Sequence, residues 1–189
     1  MHRLIAAAIL LFGLAAPAFA NPDFELGPAI GATAPSIGAL QDITGKPSPL
    51  ASLMGEKCVV LFFFRSAGWC PFCQAQLIEL NKGVAEMRKR GYRLAGISYE
   101  PPAANVKFSE ERDIHYQLLS DPGSTVIDRF GLRDPQYKPG SRAYGVPRPI
   151  IMVLDRNGVV KAKLYEAVYQ ARPPLPLVLE TLDKVAAGR

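Results

Sequence analysis

Seven consecutive apolar residues, Cys58-Val59-Val60-Leu61-Phe62-Phe63-Phe64, constrain this chain more than any other feature. A strand with one wet face alternates apolar and polar residues, whereas an unbroken apolar run needs cover on both faces. The run predicts a central strand in a sheet with helices on each side. The next segment agrees. From Gln74 to Arg90, residues Leu77, Leu80, Val84 and Met87 recur at three- and four-residue spacing, the stripe of a helix packed on a sheet, and Gly91 ends it.

The alternation continues along the chain. Upstream, Gln41 to Lys46 reads as a turn and Ser48 to Met54 as a helical turn. Tyr92 to Tyr99 reads as a second strand, and Ala103 to Arg112 as a helix after the Pro101-Pro102 break. Tyr116 to Leu119 is a short strand closed by Asp121-Pro122-Gly123, and Ser124 to Phe130 a short helix ended by Gly131. Ile150 to Leu154 and Val159 to Tyr165 flank Asn157-Gly158, a strong hairpin signal. Leu175 to Ala187 closes the chain as a helix. This order predicts an α/β fold, a central mixed β-sheet with helices on both faces. Helix-joined early strands run parallel and the late hairpin antiparallel.

The 189 residues suit one domain behind a leader. After His2 and Arg3, Leu4 to Leu14 is an apolar run, and Ala18-Phe19-Ala20 fits the small-x-small cleavage rule. Residues 1–20 read as a secretory signal peptide, 21–33 as an extended N-terminal segment and 34–189 as the folded domain. The apolar run falls short of the roughly 20 residues a membrane span needs, so no stable membrane insertion is expected after cleavage. The expected location is the periplasm or the exterior. Lys plus Arg outnumber Asp plus Glu by 22 to 17, but the basic residues are scattered, which argues against nucleic acid as a partner.

The chemistry lies in the cysteines: Cys58, Cys70 and Cys73. Cys70 and Cys73 sit between the buried strand and the long helix. A bridge across two residues does little to constrain an unfolded chain, so this pair suits a bond that breaks and re-forms. Near the helix start, unpaired N–H groups and the helix dipole favour a thiolate at Cys70. Pro71 fits the first helical position, having no N–H to lose. Cys70 is therefore read as the attacking sulfur and Cys73 as the resolving one. Trp69 either covers the site or simply packs beside it, and Arg65 reads as a solvated cation at the strand end. Zinc would need about four ligands, and His115 is the only histidine past the leader, so no metal or cofactor is expected. Cys58 opens the buried strand and reads as an inert core thiol.

The segment Phe62-Phe63-Phe64-Arg65-Ser66-Ala67-Gly68-Trp69-Cys70-Pro71-Phe72-Cys73 resembles the thioredoxin-like redoxins of the AhpC/TSA (alkyl hydroperoxide reductase/thiol-specific antioxidant) group. So do Gly31 to Pro35, Asp42 to Lys46, Gly96-Ile97-Ser98, Leu118 to Pro122 and Ile151 to Asp155. The resemblance implies a thioredoxin-like fold and a cis-proline facing the cysteines. Pro149 is the match, with Arg148-Pro149 as the cis bond and Pro147 as the rival. Peroxidases of this group carry Pro-x-x-x-Thr/Ser-x-x-Cys; counted from Cys70, Ala67 and Phe63 occupy those two places. Glu100 is the nearest acid for a proton relay. Three functions follow as expectations. The first is thiol–disulfide exchange on exported protein substrates. The second is a thiol-dependent peroxidase with Cys70 as the peroxidatic cysteine. The remote third is a copper-binding assembly factor, although Tyr137 to Arg148 holds no histidine. Partners would be protein thiols or disulfides, or a small peroxide, with an upstream electron donor or acceptor.

Overall fold

The run from Cys58 forms the strand β1 (Cys58–Phe63), buried at every position. The structure is a computed structural model that describes residues 25–188, so the proposed signal peptide and cleavage point lie outside the described residues. The other elements, in chain order, are α1 (Leu50–Leu53), before β1, then α2 (Pro71–Lys82), α3 (Val84–Lys89), β2 (Tyr92–Ser98), α4 (Pro102–Glu111), β3 (Gln117–Ser120), α5 (Thr125–Arg129), β4 (Ile150–Asp155), β5 (Val160–Leu164) and α6 (Leu175–Ala186).

The strands form one sheet in the order β3-β2-β1-β4-β5, with β1 at its centre. β1 pairs in parallel with β2, and β2 with β3, while β4 runs antiparallel to both β1 and β5. The period of two along β1 divides the core between the faces. Val60, Phe62 and Phe64 meet Leu77, Leu80, Met87, Val178 and Leu182 from α2, α3 and α6. Val59, Leu61 and Phe63 meet Leu40, Leu53, Val126, Ile127 and Phe130 on the opposite face. This two-sided cover is what the unbroken apolar run demanded. The extended N-terminal segment docks along β5: Gly31 donates its N–H to Val160 at 2.8 Å. No helix among the described residues is long and apolar enough to cross a membrane.

Two expectations need correction. The single helix over Gln74 to Arg90 starts earlier, at Pro71, and breaks at Gly83 into α2 and α3. A Cβ at Gly83 would lie 2.4 Å from Leu175 Cδ1, so the break lets the start of α6 approach. The second correction concerns Arg148-Pro149: the described residues contain no cis peptide bond. The backbone here is committed to pairing, since Arg148 N–H donates to Leu132 O at 2.7 Å and Pro149 leads straight into β4. The trans form, intrinsically favoured by about 0.5–1 kcal/mol, meets both demands.

Candidate active site

β1 ends at Phe63, and the chain turns through Arg65 to Trp69 before entering α2. Cys70 is the N-cap of that helix, with φ −101° and ψ 101°, and Pro71 is its first residue, as the spacing predicted. Cys70 Sγ accepts the Cys73 N–H at 3.3 Å, taking up one of the free donors at the helix start. Both thiols are free and turned into the core beside Phe62, Phe64 and Leu77, with Cys70 2% and Cys73 0% exposed.

Within the pair, the Cys70 thiol donates to the Cys73 sulfur, which favours charge on the second. The Cys73 thiol is pushed down to about 6 by the hydrogen bond it receives from the Cys70 thiol, then by the Ser66 N–H, the Arg172 guanidinium and the Arg65 N–H, against the opposing effect of burial. The Cys70 thiol is pushed up, first because its proton is held by Cys73 and then by burial. Sequence reasoning put the thiolate on Cys70 from the helix terminus alone. That terminus gives Cys70 one N–H. Cys73 has the Ser66 and Arg65 N–H groups of the preceding loop, a guanidinium and its partner's S–H beside it, and these oppose the helix-end advantage of Cys70.

The loop carrying those N–H groups is pinned by Glu100. Its Oε1 accepts the Ser66 hydroxyl at 2.6 Å, and its Oε2 accepts the Ala67 N–H at 2.7 Å and the Gly68 N–H at 3.4 Å. Glu100 is buried, and it reaches the backbone of the loop rather than either sulfur. Arg65 is likewise no solvated cation, being 2% exposed. Its guanidinium carbon lies 4.1 Å from the Tyr169 ring centroid, 4.9 Å from Tyr137 and 5.5 Å from Trp69. It also donates to the Tyr137 hydroxyl and stands 4.0 Å from Asp134. Aromatic faces and a carboxylate take the place of water around this charge. Trp69 packs against the core beside the cysteines, and its indole N–H donates to the Tyr99 hydroxyl at 3.2 Å.

Pro149 follows a trans peptide bond. With Gln76, Tyr169 and Arg172 it lines a small cavity that takes in neither cysteine. Arg148 lines a second hollow with Asp134, Glu166 and Tyr169. Cys58 and His115 stay away: Cys58 is the first residue of β1 and His115 lies just before β3, both at the strand starts, whereas the cysteine pair follows the far end of β1. His115 Nε2 lies 3.2 Å from Asp113 on the surface. Sequence reasoning missed Arg172 and Tyr169. Nothing in the pattern pointed from them to residues a hundred positions earlier; the only local signal was Pro173-Pro174, which holds the segment extended before α6.

A central parallel pair of strands, an antiparallel hairpin beside it and a cysteine pair at the helix after the central strand define a thioredoxin-like thiol redox protein. The chain belongs to the AhpC/TSA family, whose profile matches residues 30–163, and with it to the thiol-based oxidoreductases. It is 28% identical over 153 residues to chloroplastic peroxiredoxin Q of Suaeda salsa, covering 80% of this chain and 66% of that protein. It is also 28% identical over 123 residues to peroxiredoxin Bcp of Escherichia coli K12, covering 65% of this chain and 77% of that one. The chain thus spans about two thirds to three quarters of these relatives. The crystal structure of peroxidoxin BcpB from Mycobacterium tuberculosis superposes with a TM-score of 0.70 at 26% identity, over 87% of this chain and 99% of that one.

Proposed function

We propose that this protein is a thiol-dependent peroxidase in which Cys73 attacks a small peroxide and Cys70 resolves the product. The carrying observation is the burial of a negatively polarised Cys73 sulfur, 0% exposed and surrounded by donors. A two-oxygen peroxide needs little room to reach such an atom, whereas a folded protein's disulfide needs an open face. Likeness to peroxiredoxins supports the same reading. Counted from Cys73, the Thr/Ser place of the peroxidase pattern falls on Cys70 and the proline place on Ser66, so the Cys70 thiol stands where that group has a hydroxyl.

The Cys73 thiolate forms a bond to the nearer peroxide oxygen as the O–O bond breaks. The leaving alkoxide or hydroxide takes up a proton, and Cys73 becomes a sulfenic acid. The Cys70 sulfur then attacks Cys73 sulfur, releasing water and closing the Cys70–Cys73 disulfide. An external dithiol, attacking from the side of exposed Pro71 and Phe72, returns both sulfurs to thiols by exchange. Exchange with a protein partner thus belongs to the reductive half of the cycle. The setting proposed is the periplasm or the exterior, on the strength of the leader-like residues 1–20; N-terminal sequencing of the exported protein should begin at Asn21.

The decisive assay follows hydrogen peroxide loss with excess dithiothreitol, beside reduction of an insulin disulfide by the same preparation. Peroxide loss well above that of the reductant alone is expected, with slow insulin reduction. Peroxide loss no faster than that of dithiothreitol, with brisk insulin reduction, would return the protein to the general exchange class.

A further inference from the structure

We propose that a cavity at the far end of the sheet from the cysteine pair is a second binding site, one that takes a small anion with an apolar body, such as a medium-chain carboxylate. It is separate from the cysteine chemistry.

The cavity exists because the sheet lacks a corner. β2 starts at Tyr92, but β3 joins it only at Ala95, opposite Gln117. Tyr92, Arg93 and Leu94 therefore have no β3 residue beside them. Helix α3, the end of α4 and the Ile114–Tyr116 approach to β3 frame this gap and leave a cavity of about 320 Å³. That is the size of a small-molecule site. Leu53, Val84, Leu94, Leu118 and Leu119 supply its apolar lining, and all five are buried. None of the lining residues comes from the loop or the helix that carries Cys70 and Cys73.

Two arginines line the same cavity from different elements, Arg88 on α3 and Arg93 on β2, and both are exposed. Each is anchored through a backbone carbonyl. Arg88 Nη2 donates to His115 O at 2.8 Å, and Arg93 Nη1 donates to Ser52 O at 3.2 Å. Neither forms an ion pair with a carboxylate among the described residues. The one acid in the lining is Asp42. Its Oδ1 is committed to its own turn, accepting the Thr44 N–H at 2.8 Å, the Thr44 hydroxyl at 2.7 Å and the Lys46 N–H at 3.0 Å.

This combination selects the ligand class. The apolar interior gives nothing to a bare inorganic ion. The two guanidiniums repel a cation and gain little from a neutral molecule. A carboxylate matches the planar fork of an arginine, and a short hydrocarbon body fills the space beside it. Burial of that body supplies the affinity, and the arginines supply the selection for negative charge.

The test uses the reduced full chain and octanoate, followed by calorimetry and by backbone amide shifts. Octanoate should bind at a single site and move the amides of Arg93, Leu94 and His115 to Leu119, leaving those of Gly68 to Cys73 in place. Octanol has the same tail without the charge, and acetate has the charge without the tail. Each should bind roughly tenfold more weakly or worse. Arg88→Met and Arg93→Met should each weaken octanoate about tenfold. Ser109→Phe, which sets a ring in the cavity from α4, should abolish binding. Circular dichroism checks that each variant is folded; Arg88→Gln and Arg93→Gln repeat the comparison should a Met variant misfold. Failure of octanoate to bind saturably overturns the proposal. So do amide shifts centred on the cysteine loop, octanol binding as tightly as octanoate, or full affinity in the folded arginine or Ser109→Phe variants. The result is independent of whether the protein consumes peroxide.

Discussion

Glu100 and Ala67 are joined across the loop ahead of the cysteines, the Ala67 N–H donating to Glu100 Oε2 at 2.7 Å. The same carboxylate takes the Ser66 hydroxyl at 2.6 Å. With the Gly68 N–H, three donors therefore converge on one buried carboxyl group just past β2. Glu100→Gln keeps one acceptor but turns an NH2 toward donors, leaving at least one N–H unpaired. Stability should fall by about 1–3 kcal/mol. Because this loop supplies the N–H groups at Cys73, peroxide turnover should fall as well. Urea unfolding and initial rates check both; equal unfolding midpoints for variant and wild type would show that the clamp carries no load.

The assignment of roles to the two sulfurs separates cleanly by substitution. Cys73→Ser should remove peroxide consumption altogether, including the first turnover. Cys70→Ser should still react once and accumulate a sulfenic acid, detectable with a dimedone probe, but should fail to cycle through the disulfide. The reverse pattern would restore the order that the helix-terminus argument gave.

Gly83 separates α2 from α3 because Leu175 fills the space where its side chain would be. A Cβ there would stand 2.4 Å from Leu175 Cδ1 and 3.2 Å from Cδ2. Gly83→Ala gains helix propensity of about 1 kcal/mol but must push Leu175 aside, an overpacking cost of about 1–3 kcal/mol. Net destabilisation is expected. It should be relieved in Gly83→Ala combined with Leu175→Ala, measured as a double-mutant cycle by urea unfolding.

The fold was legible because burial on two faces writes itself into composition. The run at Cys58–Phe64 announced the central strand, and Asn157-Gly158 the hairpin, with Gly158 at φ 76°. The cysteine pair and its place at the helix start were legible for the same local reason. What stayed hidden depends on separation in sequence. Arg65 looks like any cation at a strand end until Tyr137 and Tyr169 close over it. Arg172 reaches Cys73 from 99 positions further along the chain, and no periodicity encodes that contact. On the polarity of the pair, local reasoning had only the helix terminus to go by, which favours Cys70. The cis-proline expectation failed differently: it came from resemblance, and the described residues hold no cis peptide bond.

A charged Cys73 also links stability to pH. Its thiol is pushed down to about 6 in the folded protein, from about 8.5 in an unfolded chain. Between those values the unfolded chain binds more protons at this site, so the free energy of unfolding rises with pH across that window. The contribution is full above the unfolded value and is lost as pH falls through about 6. Cys70, pushed the other way, keeps its proton throughout the window in the folded protein. Asp121, pushed up by burial, is present in every variant compared, so its effect cancels in the comparison. The thermal midpoint of the reduced protein, measured against that of Cys73→Ser, should therefore climb between about pH 5.5 and 8.5. The oxidised protein, with no thiol left to titrate at the pair, should show no such climb. A flat difference across the window in the reduced state would mean that Cys73 does not hold the charge, and would return the thiolate to Cys70 or to neither sulfur.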